Sequence, residues 1–123
     1  LHPVRGRAPE LVALVEPLVI GAHGVDRAAL RAGEPVLVAG LGPIGLAAAL
    51  FAKAAGARVA LVDAREERAR FAAGTMGLGV PLAAGPGLAR DLETFFGQLP
   101  AVVIDATGNA ESMRAAFRLA EHG

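Results

Sequence analysis

The segment "VLVAGLGPIGLAAALFAKAAGARVALVD", residues 36–63, restricts the possible folds more than any other part of the chain. Its first apolar run, between Pro35 and Gly40, is too short for a buried helix and is rich in valine, so it reads as a strand. "PIGLAAALFAKAA" is the best helix candidate in the sequence, with Pro43 in the first turn, where no amide hydrogen is needed. Gly56 ends that helix, and "ARVALVD" is a second buried strand closed by Asp63.

Between strand and helix, Gly40, Gly42 and Gly45 spell G-x-G-x-x-G. The bare pattern is weak, because glycine-rich chains produce it by chance. Here the first glycine ends a strand, the third lies within the following helix, and an acidic residue closes the next strand about 20 residues on. Each glycine then has its own reason: a tight turn, close approach of backbone to a diphosphate, and close packing of helix on strand. Amide hydrogens at the helix start, aided by the helix dipole, favour an anion there. The competing reading is a plain strand-to-helix corner.

A carboxylate at Asp63 accepts ribose hydroxyl hydrogens and repels a 2′-phosphate, which points to NAD over NADP. Arg65 argues the other way, since an arginine near this strand end pairs with a 2′-phosphate. Arg68, on the next helix, either reaches the ribose edge or belongs to a solvated face with Glu66 and Glu67. A second cluster, "GTMGLG" at 74–79, follows a helix instead of a strand and reads as a helix cap and loop.

The rest of the chain continues the alternation. "ELVALVEPLVIGAHGVDRAAL" reads as helical pieces broken near Pro17, and "AREERARFAAGTMG" as an amphipathic helix with Phe71 on its apolar side. A short strand at "VPLA", a helix in "GLARDLETFFGQL", a strand in "AVVIDATG" and a helix in "NAESMRAAFRLAEHG" follow. This order indicates an α/β fold: a Rossmann-type, doubly wound parallel sheet. Residues 1–34 read as an N-terminal lead with helical pieces, and residues 35–123 as the dinucleotide-binding domain.

Composition removes several function classes. The 12 basic and 12 acidic side chains are interspersed and give zero net charge, which offers no footprint for nucleic acid or a membrane surface. There is no cysteine, hence no disulfide, thiolate chemistry or Cys-based zinc site in these 123 residues. No apolar run is long enough to cross a bilayer and no signal peptide is visible, so a cytoplasmic protein cut at Leu1 is the expectation. Ser112 lacks the setting of a nucleophile, and His2, His23 and His122 lie in terminal or glycine-rich stretches without a partner set. Asp91, Glu93 and Glu111 read as surface charges.

The phrases "LVEPLVIGAHGV", "VLVAGLGPIGLAAALFAKAAGARVALVD" and "VVIDATGNAESMRAAF" resemble the cofactor domain of the zinc-dependent medium-chain dehydrogenases, in the polyol and sugar-acid branch. The resemblance implies that Gly40, Gly42, Pro43, Ile44 and Gly45 hold the NAD diphosphate and that Asp63 and Arg68 bind ribose. It implies that Ala106, Thr107 and Gly108 pass beneath the dinucleotide, and that Glu16 of "VEP" stands beside the zinc of the intact enzyme. It further implies a sheet truncated at its C-terminal end, so that residues 35–123 are an incomplete NAD-binding domain and residues 1–34 an N-terminal lead and interdomain helical segment. With these it implies a small alcohol or polyol substrate, hydride transfer to NAD, a homo-oligomer, and an isolated fragment without turnover. Three other classes remain open on the residues alone: a zinc-free NADPH quinone or enoyl reductase, an S-adenosylmethionine-dependent methyltransferase, and a non-catalytic nucleotide-sensing module.

Overall fold

The computed structural model describes residues 5–121. His2 and His122 lie outside them. Strand β1 (Pro35–Ala39) is apolar throughout because protein covers both its faces. Val36 and Val38 point to one side with Val59 and Leu61 of β2 (Arg58–Val62), while Leu37 and Ala39 point to the other with Ala60 and Val62. Val36, Leu37, Val38 and Leu61 are wholly removed from water. At about 1.5–3 kcal/mol for each buried aliphatic side chain, this strand pair is where the core is strongest.

Strand β3 (Val80–Pro81) pairs with β2, and β4 (Val102–Asp105) pairs with the other side of β1. All pairs are parallel, in the order β3-β2-β1-β4. The "VPLA" strand shrinks to two residues because Pro81 has no amide hydrogen for a ladder and fits only at a sheet edge.

Helices α2 (Val15–Ala28), α3 (Pro43–Ala54) and α4 (Glu66–Gly74) cover one face, bringing Val25, Ala49, Ala52, Ala69 and Ala72 against the β1–β2 valines and leucine. Helices α5 (Leu88–Phe96) and α6 (Ala110–Leu119) cover the opposite face with Leu88, Leu92, Phe96 and Leu119. Right-handed crossovers impose this split: the chain winds outward from β1 to β3, then returns to place β4 on the far side of β1. The doubly wound α/β arrangement is therefore as expected from the sequence, and its direction reverses between β1 and β4.

Alanine and glycine let α2 and α3 lie almost backbone to backbone. A Cβ added at Gly21 would sit 2.6 Å from both Ala47 Cβ and Ala48 N. Away from this contact, Leu14, Val15, Leu18 and Val19 leave α2 and the residue before it apolar toward solvent.

Arg58 braces the far end of the sheet. Its guanidinium donates to the carbonyls of Phe95 (2.8 Å) and Phe96 (3.3 Å) and lies 5.5 and 5.2 Å from their ring centroids. A cation at these last carbonyls of α5 also complements the helix dipole.

Two local expectations need correction. The helical break falls at Leu14, between α1 (Pro9–Ala13) and α2, rather than at Pro17. Pro17 sits in the first turn of α2, where a missing amide hydrogen costs nothing. Phe71 is half exposed, because α4 approaches the sheet through Ala69 and Ala72 and leaves no depth for a ring. The "GTMGLG" stretch is a loop after α4, as expected, with Gly77 at φ +63° and its carbonyl accepting from Lys53 Nζ.

Candidate functional site

The winding reversal leaves a crevice beyond the C-terminal ends of β1 and β4, the place where open α/β sheets take ligands. At its centre is the glycine turn, and its three glycines do three different things. Gly40 has φ +84°, and a Cβ there would lie 2.8 Å from Ala106 C and Thr107 N, so only glycine lets β1 and β4 end this close together. Gly45 lies inside α3, and a Cβ there would come 1.7 Å from the Gly40 carbonyl oxygen. Gly42 is the opposite case: an added Cβ would meet nothing within 4 Å.

That open position borders the mouth of α3. Pro43 is the first residue of the helix and has no N–H, and the Leu46 N–H already donates to the Gly42 carbonyl at 2.9 Å. Among the described residues, the N–H groups of Gly42, Ile44 and Gly45 have no protein acceptor. A cluster of unmet donors at the positive end of a 12-residue helix suits an anion.

Asp63 stands beside this mouth. Only 8 % of it is exposed. Its Oδ2 accepts from the Leu41 N–H at 2.6 Å and its Oδ1 from the Arg65 N–H at 2.8 Å, which ties the end of β2 to the glycine turn. Arg68 Nη1 lies 3.7 Å from Oδ2. Burial alone raises the pKa of this carboxyl, but the Arg65 and Leu41 amides and the Arg68 and Arg65 charges outweigh it, and the net shift is downward. Asp63 is thus an anion at neutral pH. A carboxylate has about four acceptor sites, and two remain for hydroxyl donors after the amides are counted.

Gly40, Gly42, Asp63, Arg65, Arg68 and Thr107 line one cavity of about 1150 Å³, which continues between α5 and α6 past Leu88. A smaller hollow of about 340 Å³ lies on the other side of Gly42 and Arg68, against Leu46 and Phe71. Arg68 thus borders both hollows while staying half exposed; on the same helix Arg70 pairs with Glu66 at 3.4 Å. Ala106 lines the large cavity as well. Ile44 is on the exposed side of the first turn of α3, and Gly108 is exposed at φ +65°; neither lines the cavity. Glu16 is exposed in the first turn of α2 and borders neither hollow.

Sequence reasoning missed two residues here. Asp105 Oδ1 accepts from both the N–H (2.8 Å) and the hydroxyl (2.6 Å) of Thr107. The Thr107 Oγ1 accepts from the Asn109 N–H at 3.1 Å, and Asn109 Oδ1 caps α6 through the Glu111 and Ser112 amides at 2.8 and 3.2 Å. The signal was present as polar residues at every second position of "DATGN", the spacing of successive side-chain-to-backbone turns.

Among the described residues no three His, Cys, Asp or Glu side chains converge on a common point. Nor is any described helix long and apolar enough to cross a membrane.

Residues 43–123 match the profile of the family described as zinc-binding dehydrogenase. The L-galactonate-5-dehydrogenase of Escherichia coli is 43 % identical over 98 % of this chain, which covers 36 % of that protein. Sorbitol dehydrogenase of Bos taurus is 36 % identical over 90 % of the chain and 32 % of its own length. Among solved structures, 2R,3R-butanediol dehydrogenase of Bacillus subtilis superposes with a TM-score of 0.75 at 28 % identity, over 88 % of this chain and 31 % of that one. The chain thus spans about a third of the length of the curated relatives it matches. Neither a methyltransferase nor a zinc-free reductase is favoured by these matches, and the glycine turn, the winding and the profile agree: the chain belongs to the zinc-binding dehydrogenase family.

Proposed function

We propose that this chain is the NAD-holding part of a polyol or alcohol dehydrogenase that moves hydride between a secondary alcohol carbon and NAD. The observation that carries this reading is the open space at Gly42, faced by three amides without acceptors and flanked by the Asp63 carboxylate. A diphosphate fits the amides, and a ribose diol fits the carboxylate. Gly40, Gly42, Pro43, Ile44 and Gly45 would hold the former and Asp63 and Arg68 the latter, while Ala106 and Thr107 would floor the crevice and Gly108 would continue that turn beyond it. The chemistry gained on binding NAD is acceptance of a hydride; the chain's own contribution is to bind and orient.

The zinc implied by the family finds no ligand set among the described residues, so no step through a metal is assigned to this chain. A place for Glu16 beside zinc rests on the "VEP" resemblance and needs ligands from elsewhere in a longer protein. Residues 1–34 would then join the two parts, which accords with the apolar outer face of α2.

Calorimetry with NAD and NADP tests the cofactor assignment. NAD is expected to bind at least about tenfold more tightly, because Asp63 repels a 2′-phosphate. Tighter binding of NADP, with Arg65 as its partner, would overturn it.

We also infer that the chain self-associates along β4. Among the described residues that strand pairs with β1 alone, and its residues Val102–Asp105 include neither the proline nor the lysine that commonly protects an open edge. Light scattering is expected to show dimers or larger species at tens of micromolar, roughly the range where open edges associate. A clean monomer would count against it.

A further inference from the structure

We propose that Asp105 is a positioning residue that fixes the Thr107 hydroxyl as an acceptor, so that this side of the crevice takes a sugar hydroxyl and refuses phosphate. The proposal rests on the cofactor reading above and specifies which part of the ligand lies where.

A threonine hydroxyl has one hydrogen and two lone pairs. Asp105 Oδ1, which as a carboxylate oxygen can only accept, takes the hydrogen at 2.6 Å. One lone pair receives the Asn109 N–H at 3.1 Å. What remains on Oγ1 is a single lone pair, and Thr107 lines the large cavity. Toward a ligand this group can only accept, which suits a hydroxyl and repels an anionic oxygen.

The arrangement is maintained at a cost. Asp105 Oδ2 is buried and has no hydrogen-bond partner among the described residues. An unsatisfied buried carboxylate oxygen is destabilising, and such atoms in folded proteins call for a reason. Oδ1 supplies one, since both of its bonds go to Thr107. Through Asn109 the same chain of bonds reaches the start of α6, so the crevice floor and that helix are held as a unit.

The position selects the sugar. In the order β2-β1-β4, Asp63 follows β2, the glycine turn follows β1 and Thr107 follows β4. A diphosphate at the central turn puts one ribose toward Asp63 and anything beyond the diphosphate toward Thr107. The group accepted at Thr107 is therefore a hydroxyl of the second sugar.

The test is the ratio of affinities for ADP-ribose and ADP, measured by calorimetry on the full chain, because only ADP-ribose carries that sugar. Thr107→Val is expected to lower the ratio about five- to tenfold, the worth of one hydrogen bond, and Thr107→Ser to restore it. Asp105→Ala is expected to lower it as well, since nothing then takes the hydroxyl hydrogen and Oγ1 is no longer held as an acceptor. Added to Thr107→Val, it should lower the ratio no further. An unchanged ratio in Thr107→Val overturns the proposal, and so does equal weakening of both ligands by Asp105→Ala, the mark of a purely structural role. If Asp105→Ala fails to fold, the Thr107 pair decides. Failure of the unsubstituted chain to bind ADP overturns the cofactor reading and this proposal together; binding of ADP with no added affinity from the second sugar overturns this proposal alone.

Discussion

Gly45→Ala is expected to break the glycine turn, whereas Gly42→Ala is expected to leave the fold standing and remove dinucleotide binding. The two substitutions add the same methyl group three residues apart. At Gly45 it meets the Gly40 carbonyl oxygen at 1.7 Å, and backbone must move because no flexible side chain is available to yield. The cost should reach or pass the upper end of the about 1–3 kcal/mol typical of overpacking, lowering the melting temperature by about 10 °C or more. At Gly42 the backbone is extended, at φ −74° and ψ −173°, and nothing lies within 4 Å. Stability should change by only about 0.5 kcal/mol, the difference between glycine and alanine before a helix. Affinity for NAD should fall at least about tenfold, because the methyl fills the space offered to the diphosphate. Thermal melts paired with calorimetry separate the two. Full NAD affinity in Gly42→Ala would refute the assignment.

Asp63→Asn should cost both stability and selectivity. The carboxylate satisfies the Leu41 and Arg65 amides with two different oxygens. An asparagine has one acceptor oxygen and turns its NH₂ toward the other amide, leaving a buried donor unmet at about 1–3 kcal/mol. It also removes the charge that repels a 2′-phosphate, so discrimination between NAD and NADP should narrow.

The pH dependence has a definite sign. The folded-state pKa of Asp63 lies below its ordinary value of 3.8. Its contribution to stability is therefore complete above that value and lost as pH falls below it through the lowered folded value. Denaturant melts should show the gap between wild type and Asp63→Asn constant near neutrality and shrinking below 3.8. A gap that widens in acid would contradict the assignment of the charge.

Much of this was legible in the residues themselves. The β1 run, and the β2 run after Arg58, are apolar because both faces are covered, and no other element type of that length buries so completely. Gly40 and Gly45 were readable because each answers a steric demand of the turn, and Gly42 because it leaves the turn open. What stayed hidden depended on depth and neighbours. Nothing local says that α4 lies too near the sheet for Phe71 to turn inward, or that Pro17 starts a helix instead of ending one. Arg68 could not be placed without knowing that Asp63 lies 3.7 Å away. Asp105 and Asn109 were overlooked for a different reason: their partners are only two or three residues along the chain, and a glycine motif draws attention from short-range polar spacing.

The Arg58 brace acts at the pole of the sheet opposite the crevice, yet α5 connects the two. Leu88 and Ala89 at the start of that helix form a wall of the cavity, while the carbonyls of Phe95 and Phe96 at its end are gripped by the guanidinium. A nine-residue helix is a stiff rod of about 13 Å, so a clamp on its last carbonyls also restrains the stretch of cavity wall formed by its first turn.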